Sequence, residues 1–261
     1  MDFETIKYET KGKVGYIILN RPEKHNALSY QLLDDIDAAF DYAEADESVN
    51  VVILKGNGKS FCSGFDTRGS YYITAPEGGW TYRNSYDILN KKVYAKYTRI
   101  FNFPKVTIAQ VHGRCGDAGC YFQLACDITV TADDAHFGHP AQRWGGSQSM
   151  ALWQLYLPVK KARYLLMSGR LIDGKTAAEW GLASISVPRE KLEEETNKLA
   201  MEIAEIPPDG ALHNKIAMNT DLKMRGVDAL FDYYGQMNRY VRMFKYPGKE
   251  GKFSLPSRPS K

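Results

Sequence analysis

Val106-Thr107-Ile108-Ala109-Gln110-Val111-His112-Gly113-Arg114-Cys115-Gly116-Asp117-Ala118-Gly119-Cys120-Tyr121-Phe122-Gln123-Leu124-Ala125 reads as strand, glycine turn and helix in immediate succession. Pro104 opens the strand Val106 to Val111, Gly113, Gly116 and Gly119 punctuate the turn, and Cys120 to Ala125 continues as an apolar helix. The same succession recurs on either side. Upstream, Val14 to Leu19 is an apolar strand ended by Asn20-Arg21-Pro22. Ser29 then caps a helix whose Leu32, Leu33, Ile36, Ala39, Phe40 and Ala43 share one face. Val49 to Leu54 is a second strand, closed by Gly56-Asn57-Gly58. Downstream, Ile128 to Ala132 is a fourth strand and Ala135 to Phe137 a short fifth. Strands that alternate with helices predict an α/β core.

Beyond this frame the pattern changes. Residues 67–87 are loop-like, with Gly69, Pro76, Gly78 and Gly79 set among Tyr71, Tyr72, Trp80, Tyr82 and Tyr86. Residues 88–101 carry a helical pattern. After Pro158 the chain reads as helical nearly to its end, interrupted at Gly181 to Pro188, and the stretch after Tyr246 is proline-rich and extended. We therefore divide the chain into a core over 1–200 and a helical region with an extended tail over 201–261. So apolar a helical region needs something to pack on, such as a neighbouring subunit.

Composition narrows the function classes. Hydrophobic residues make up 44% of the 261, enough for a sizeable core. A net charge of +3 with no run of five like charges argues against a nucleic-acid partner. No stretch of about 18 apolar residues is present, so no membrane span is expected. The polar start MDFETIKYET lacks an export signal, and the cytoplasm is the expected location. Cys62, Cys115, Cys120 and Cys126 have no C-x-x-C spacing, which fits a reducing compartment and neither a disulfide framework nor a zinc site. His136 and His139 likewise lack metal-site spacing, so no metal is expected.

Two turns carry the candidate chemistry: Phe61-Cys62-Ser63-Gly64-Phe65-Asp66 and Val111 through Cys120. Small residues let backbone amides approach a ligand, and a helix start leaves N–H groups unpaired. Brought together, two such turns make an oxyanion hole for an enolate or tetrahedral anion. Glycine turns that merely connect strand to helix are common, so both readings stand at this point. Cys62-Ser63 lacks a Gly-x-Ser-x-Gly elbow and a paired histidine, which argues against a nucleophile.

In order and spacing the chain resembles the crotonase superfamily, the enoyl-CoA hydratases and isomerases, from about residue 5 to 205. The matching segments are Asn20 to Leu28, Phe61 to Asp66, His112-Gly113 through Ala125-Cys126-Asp127, Ala135 to Gly138, Tyr164 to Arg170 and Ala177 to Ala183. The resemblance implies a crotonase-like spiral of ββα turns with a C-terminal helical subdomain that trimerises over 201–261, giving a homotrimer or a hexamer. It implies an acyl-CoA substrate, with coenzyme A present only as part of the thioester and no permanently bound cofactor. The oxyanion amides carry over to Phe65 and Ala118, and the coenzyme end to Lys24, Ala27, Ser63, Phe65 and Asp66.

Departures from the family pattern matter as much. The two glutamates that activate water in the hydratases fall at Tyr121 and Ala141, and neither residue is an acid. Tyrosine, with a pKa near 10, is a poor base at neutral pH, and alanine transfers no proton. Ring-cleaving relatives place an aspartate slightly later, where Gln142 through Ser149 has no acid. Asp117 is then either a replacement acid or a helix N-cap. Tyr121 is either a hydrogen-bond donor to substrate or a wall residue. His139 is either a base or structural, and His112 packs behind the turn. Tyr82, Tyr86, Ala141 and Trp144 are expected to line the acyl pocket, whose aromatic loop fits a cyclic or aromatic group and can close as a lid. The expected function is a lyase- or isomerase-type acyl-CoA enzyme that stabilises a thioester enolate. A decarboxylase, a C–C hydrolase and a non-catalytic acyl-CoA-binding protein are the alternatives.

Overall fold

The computed structural model describes residues 2–66, 81–144 and 152–233. In chain order it contains β1 (Ile6–Lys11), β2 (Val14–Leu19), α1 (Tyr30–Ala45), β3 (Val51–Gly56), α2 (Tyr82–Ser85), a π-helix (Tyr86–Tyr94), α3 (Ala95–Phe101), β4 (Val106–Val111) and β5 (Arg114–Gly116). There follow α4 (Ala118–Ala125), β6 (Ile128–Ala132), β7 (His136–Gly138), a 3-10 turn (Pro140–Trp144), α5 (Trp153–Tyr156), α6 (Val159–Ser168) and β8 (Leu171–Asp173). The described chain closes with α7 (Gly174–Trp180), β9 (Ile185–Val187), α8 (Leu192–Ala204), α9 (Pro208–Met224) and further helix over 227–233.

Two sheets organise these elements. The larger has the order β1-β2-β3-β4-β6-β9, and only the β1–β2 pair is antiparallel. α1 packs on β1 and β2, while α8 packs on β2, β3, β4 and β6. That cover is why the parallel strands read as unbroken apolar runs instead of alternating ones. The smaller sheet has the order β5-β7-β8, and a parallel bridge between Cys62 and Cys115 extends it to the first turn. A strand of the large sheet thus passes into the small sheet and then into a helix, as in β4 to β5 to α4. β6 to β7 to the 3-10 turn repeats the move. This is an α/β spiral of ββα turns with a helical C-terminal region.

The strands β2, β4 and β6 and the Ser29 cap fall where the sequence pattern predicts them; Leu32 N–H donates to Ser29 Oγ at 3.1 Å. Two corrections apply. The helical pattern over 88–101 divides into a π-helix and α3, a distinction that spacing over so short a run does not encode. The region after Pro158 holds two strands, β8 and β9, each only three residues long and below the length at which period-2 alternation is visible. Gly69, Tyr71, Tyr72, Pro76, Gly78, Gly79 and Trp80, the stretch Gly145 to Ser149, and the tail after Tyr246 lie outside the described residues.

Candidate active site

The segment Arg21 to Leu28 and the segment Ser60 to Asp66 run side by side and form the first wall. Ser63 N–H donates to His25 O at 3.0 Å, Leu28 N–H to Gly64 O at 2.8 Å and Asp66 N–H to Leu28 O at 2.9 Å. Asn26 is the hub. It is fully buried with φ 53°, a conformation that asparagine tolerates better than most residues. Its Nδ2 donates to Asn57 O and Ser60 O at 3.0 and 2.8 Å, and its Oδ1 accepts from Arg21 N–H at 2.8 Å. Arg21 also ion-pairs with Asp66 at 2.9 Å, and its Nη1 donates to Ala27 O. Asp66 therefore braces the frame through Arg21, while Ala27 and Ser63 sit on its two adjoining segments and Lys24 is exposed at its edge.

The second turn meets the first at Gly64. Cys62 N–H donates to Arg114 O and Gly116 N–H to Cys62 O, both at 3.0 Å. A β-carbon on Gly64, which has φ 102°, would stand 2.8 Å from Asp117 Cβ and 3.5 Å from Ala118 N. Only a residue without a side chain lets the two turns close to this distance. Ala118 is the first residue of α4, so its N–H has no acceptor within its own helix. The eight residues of α4 are all buried.

Asp117 departs from expectation. It occupies the N-cap position of α4, yet its side chain makes no cap hydrogen bond. Its φ of 50° and ψ of −125° match the first central residue of a type II′ turn, where glycine is usual. Holding a β-carbon there costs on the order of 1–3 kcal/mol. The carboxylate instead crosses to the third turn of the spiral. Oδ1 accepts from Ala141 N–H at 2.8 Å and lies 3.2 Å from His139 Nδ1. Burial pushes the Asp117 carboxyl above the usual range, against opposing pulls from His139, the Ala141 amide and Arg114.

Tyr121, on the next turn of α4, is buried against Tyr97 in an edge-on contact with ring centroids 5.7 Å apart. Its ring lies 6.5 Å from that of His139, and Tyr97 Oη donates to Ala118 O at 3.4 Å. Asp117, Ala118, Tyr121, His139, Ala141 and, through Gly64, Phe65 thus form one contiguous group. His112 stands behind it, with Nε2 donating to Gly58 O at 2.9 Å. Tyr86 is exposed on the π-helix with Lys91 Nζ over its ring at 5.8 Å. Tyr82 and Trp144 lie on α2 and on the 3-10 turn. All four cysteines are buried, and burial holds the Cys62 thiol up to about 12, which makes it a poor nucleophile. Among the described residues no three His, Cys, Asp or Glu side chains gather as a metal site.

Both turns are legible in the sequence, but three anchors are not: the Asn26 hub, the Arg21–Asp66 pair and the Asp117 link to Ala141. The only local trace of the first was a His-Asn pair before an apolar run. The other two join residues far apart in sequence and leave no periodic signal.

The family model for enoyl-CoA hydratase/isomerase matches residues 9–245. A Rhizobium meliloti protein named "Probable enoyl-CoA hydratase" is 30% identical over 243 residues, covering 88% of this chain and 87% of that one. The hydroxycinnamoyl-CoA hydratase-lyase of Pseudomonas fluorescens is 30% identical over 214 residues, covering 79% and 75%. The crystal structure of an enoyl-CoA hydratase/isomerase from Xanthobacter autotrophicus Py2 superposes with a TM-score of 0.87 at 30% identity, over 94% of this chain and 90% of that one.

Proposed function

The chain belongs to the enoyl-CoA hydratase/isomerase family, and on that premise we propose that it stabilises the enolate of an acyl-CoA thioester between the amides of Phe65 and Ala118. The observation that supports this reading is the contact at Gly64, which sets the residue before Phe65 against Asp117 and Ala118. Amides fixed in a water-poor turn favour charge that develops on the thioester oxygen and need no rearrangement as it develops. Lys24, Ala27 and Ser63 then receive the coenzyme end, with Asp66 holding their frame through Arg21.

The acyl group is proposed to be non-standard, cyclic or aromatic, held among Tyr82, Tyr86, Ala141 and Trp144. A relative named for hydroxycinnamoyl-CoA, an aromatic thioester, is consistent with this. Tyr121 donates a hydrogen bond to the substrate or to a leaving group. With tyrosine and alanine at 121 and 141, hydration by paired carboxylates has no carboxylates to use. Decarboxylation is the second reading, because loss of carbon dioxide generates the same enolate without a base. Coenzyme A enters only with the substrate, and residues 201–261 are proposed to build a trimer or a hexamer.

The test is turnover. The protein is incubated with a panel of enoyl-, ketoacyl-, malonyl- and arylacyl-CoA esters and products are followed by mass spectrometry. Conversion of at least one ester is expected; tight binding with no conversion across the panel identifies a non-catalytic binder instead. Ala118→Pro deletes one oxyanion amide and is expected to cost roughly 3 kcal/mol of transition-state stabilisation. Unchanged turnover in a variant whose circular dichroism is native contradicts the assignment.

A further inference from the structure

Asp117 combines three costs that a turn residue need not bear. Its backbone sits at φ 50°, its carboxyl is half-buried, and its charge stands one residue from an amide assigned to bind an anion. Glycine would remove all three. The side chain reaches two groups of the neighbouring spiral turn: it accepts from Ala141 N–H, and it stands at ion-pair distance, 3.2 Å, from His139 Nδ1 without hydrogen-bond alignment. His139 is itself buried, and its ring lies beside Tyr121 on the same helix that begins at Ala118. A carboxylate this close to one imidazole nitrogen favours the tautomer protonated there and stabilises the imidazolium when the other nitrogen takes a proton.

We propose that Asp117 and His139 act as a carboxylate–imidazole pair that moves the proton of the enolate step, in place of acids at positions 121 and 141. Asp117 is the positioning residue and His139 carries the proton. When the enolate forms, the bond from Cα to hydrogen breaks. Its electron pair moves onto the thioester oxygen between Phe65 and Ala118, and the proton goes to His139 Nε2. Reprotonation at carbon returns it; an enolate generated by loss of carbon dioxide is quenched instead by an imidazolium that has taken its proton from water. The Ala141 amide and Arg114 also face the Asp117 carboxylate and help to keep it charged while the imidazole turns cationic. This proposal rests on the enolate reading above, and its test separates the two.

A saturated thioester with an aromatic tail, 3-phenylpropanoyl-CoA, is incubated with the protein in heavy water, and loss of its α-proton signals is followed by NMR. Calorimetry measures binding of the same compound. The wild-type protein is expected to bind it and to exchange its α-protons. Asp117→Gly and His139→Gln are expected to bind it and to exchange at least about 100-fold more slowly. Asp117→Gly suits φ 50° and is expected to fold at least as well as the wild type, so its loss of exchange is not a loss of structure. Nitrogen-15 NMR of the imidazoles supplies a second readout. His139 is expected to be protonated at Nδ1 in the wild type and to shift toward the other tautomer in Asp117→Asn. Failure to bind the thioester overturns the enolate reading and this pair with it. Binding with no exchange, exchange that survives both substitutions, or an unprotonated Nδ1 in the wild type overturns the pair alone.

Discussion

His112 donates to Gly58 O behind the oxyanion turns, and burial, helped by Arg189 and Lys55, holds its pKa below the usual histidine value. The unfolded chain therefore binds a proton that the native state refuses. Stability from this group is fully present above the unfolded value of about 6.5 and is lost as pH falls through that value toward the lower native one. His112→Gln is expected to flatten the decline of Tm between about pH 7 and pH 5, measured by calorimetry at matched ionic strength. An unchanged decline would place the acid sensitivity elsewhere. At this scale the sequence discloses the amides and conceals the side chains that set them. Gly64 and Ala118 belong to visible glycine turns. Asp117 looks like an N-cap because capping is a local rule, whereas its conformation is set by Gly64 and Ala141, partners that spacing along α4 cannot reveal.

α9 shows how an element can be predicted without its docking. Its helical character is plain, yet Lys215 is its one fully buried side chain and no apolar stripe announces which face turns inward. The helix is held by charge. Lys215 Nζ lies 2.7 Å from Asp127 Oδ2 and donates to Lys105 O at 3.2 Å, while Asn219 Nδ2 donates to Phe101 O at 2.9 Å. Asp127 also accepts from the Thr107 amide and hydroxyl, which ties α9 to the start of β4. Lys215→Ala leaves that carboxylate short of its cation and is expected to destabilise the fold by about 3 kcal/mol in urea unfolding. A change below about 0.5 kcal/mol would mean that α9 docks by other contacts. The same reliance on distant partners explains β8 and β9. Each exists because a longer or better buried strand lies beside it, β7 for one and β6 for the other.

Across the whole molecule, apolar side chains remain exposed in the C-terminal half: Val159 and Met167 on α6, and Ile216, Met218 and Met224 on α9. Two helices that each present apolar side chains to water offer a surface for a neighbouring subunit. Light scattering is expected to return a multiple of 29.5 kDa, three or six copies, and Met167→Glu combined with Met218→Glu to shift it toward one. A single-copy mass at all concentrations would contradict the assembly. The alternation of strand and helix makes the core legible in the sequence, because parallel strands covered by helices leave a loud apolar signature. The exposed apolar side chains of α6 and α9 leave no such signature, since a subunit contact is not encoded in local periodicity. One further consequence lies in α4. The helix begins at Ala118, the proposed oxyanion amide, and ends at Cys126-Asp127, where α9 is moored, and all eight of its residues are buried. At about 12 Å it is a short strut without slack. A push on the mooring is carried along this strut to Ala118, so the stiffness of the proposed anion site depends on a helix more than eighty residues further along the chain.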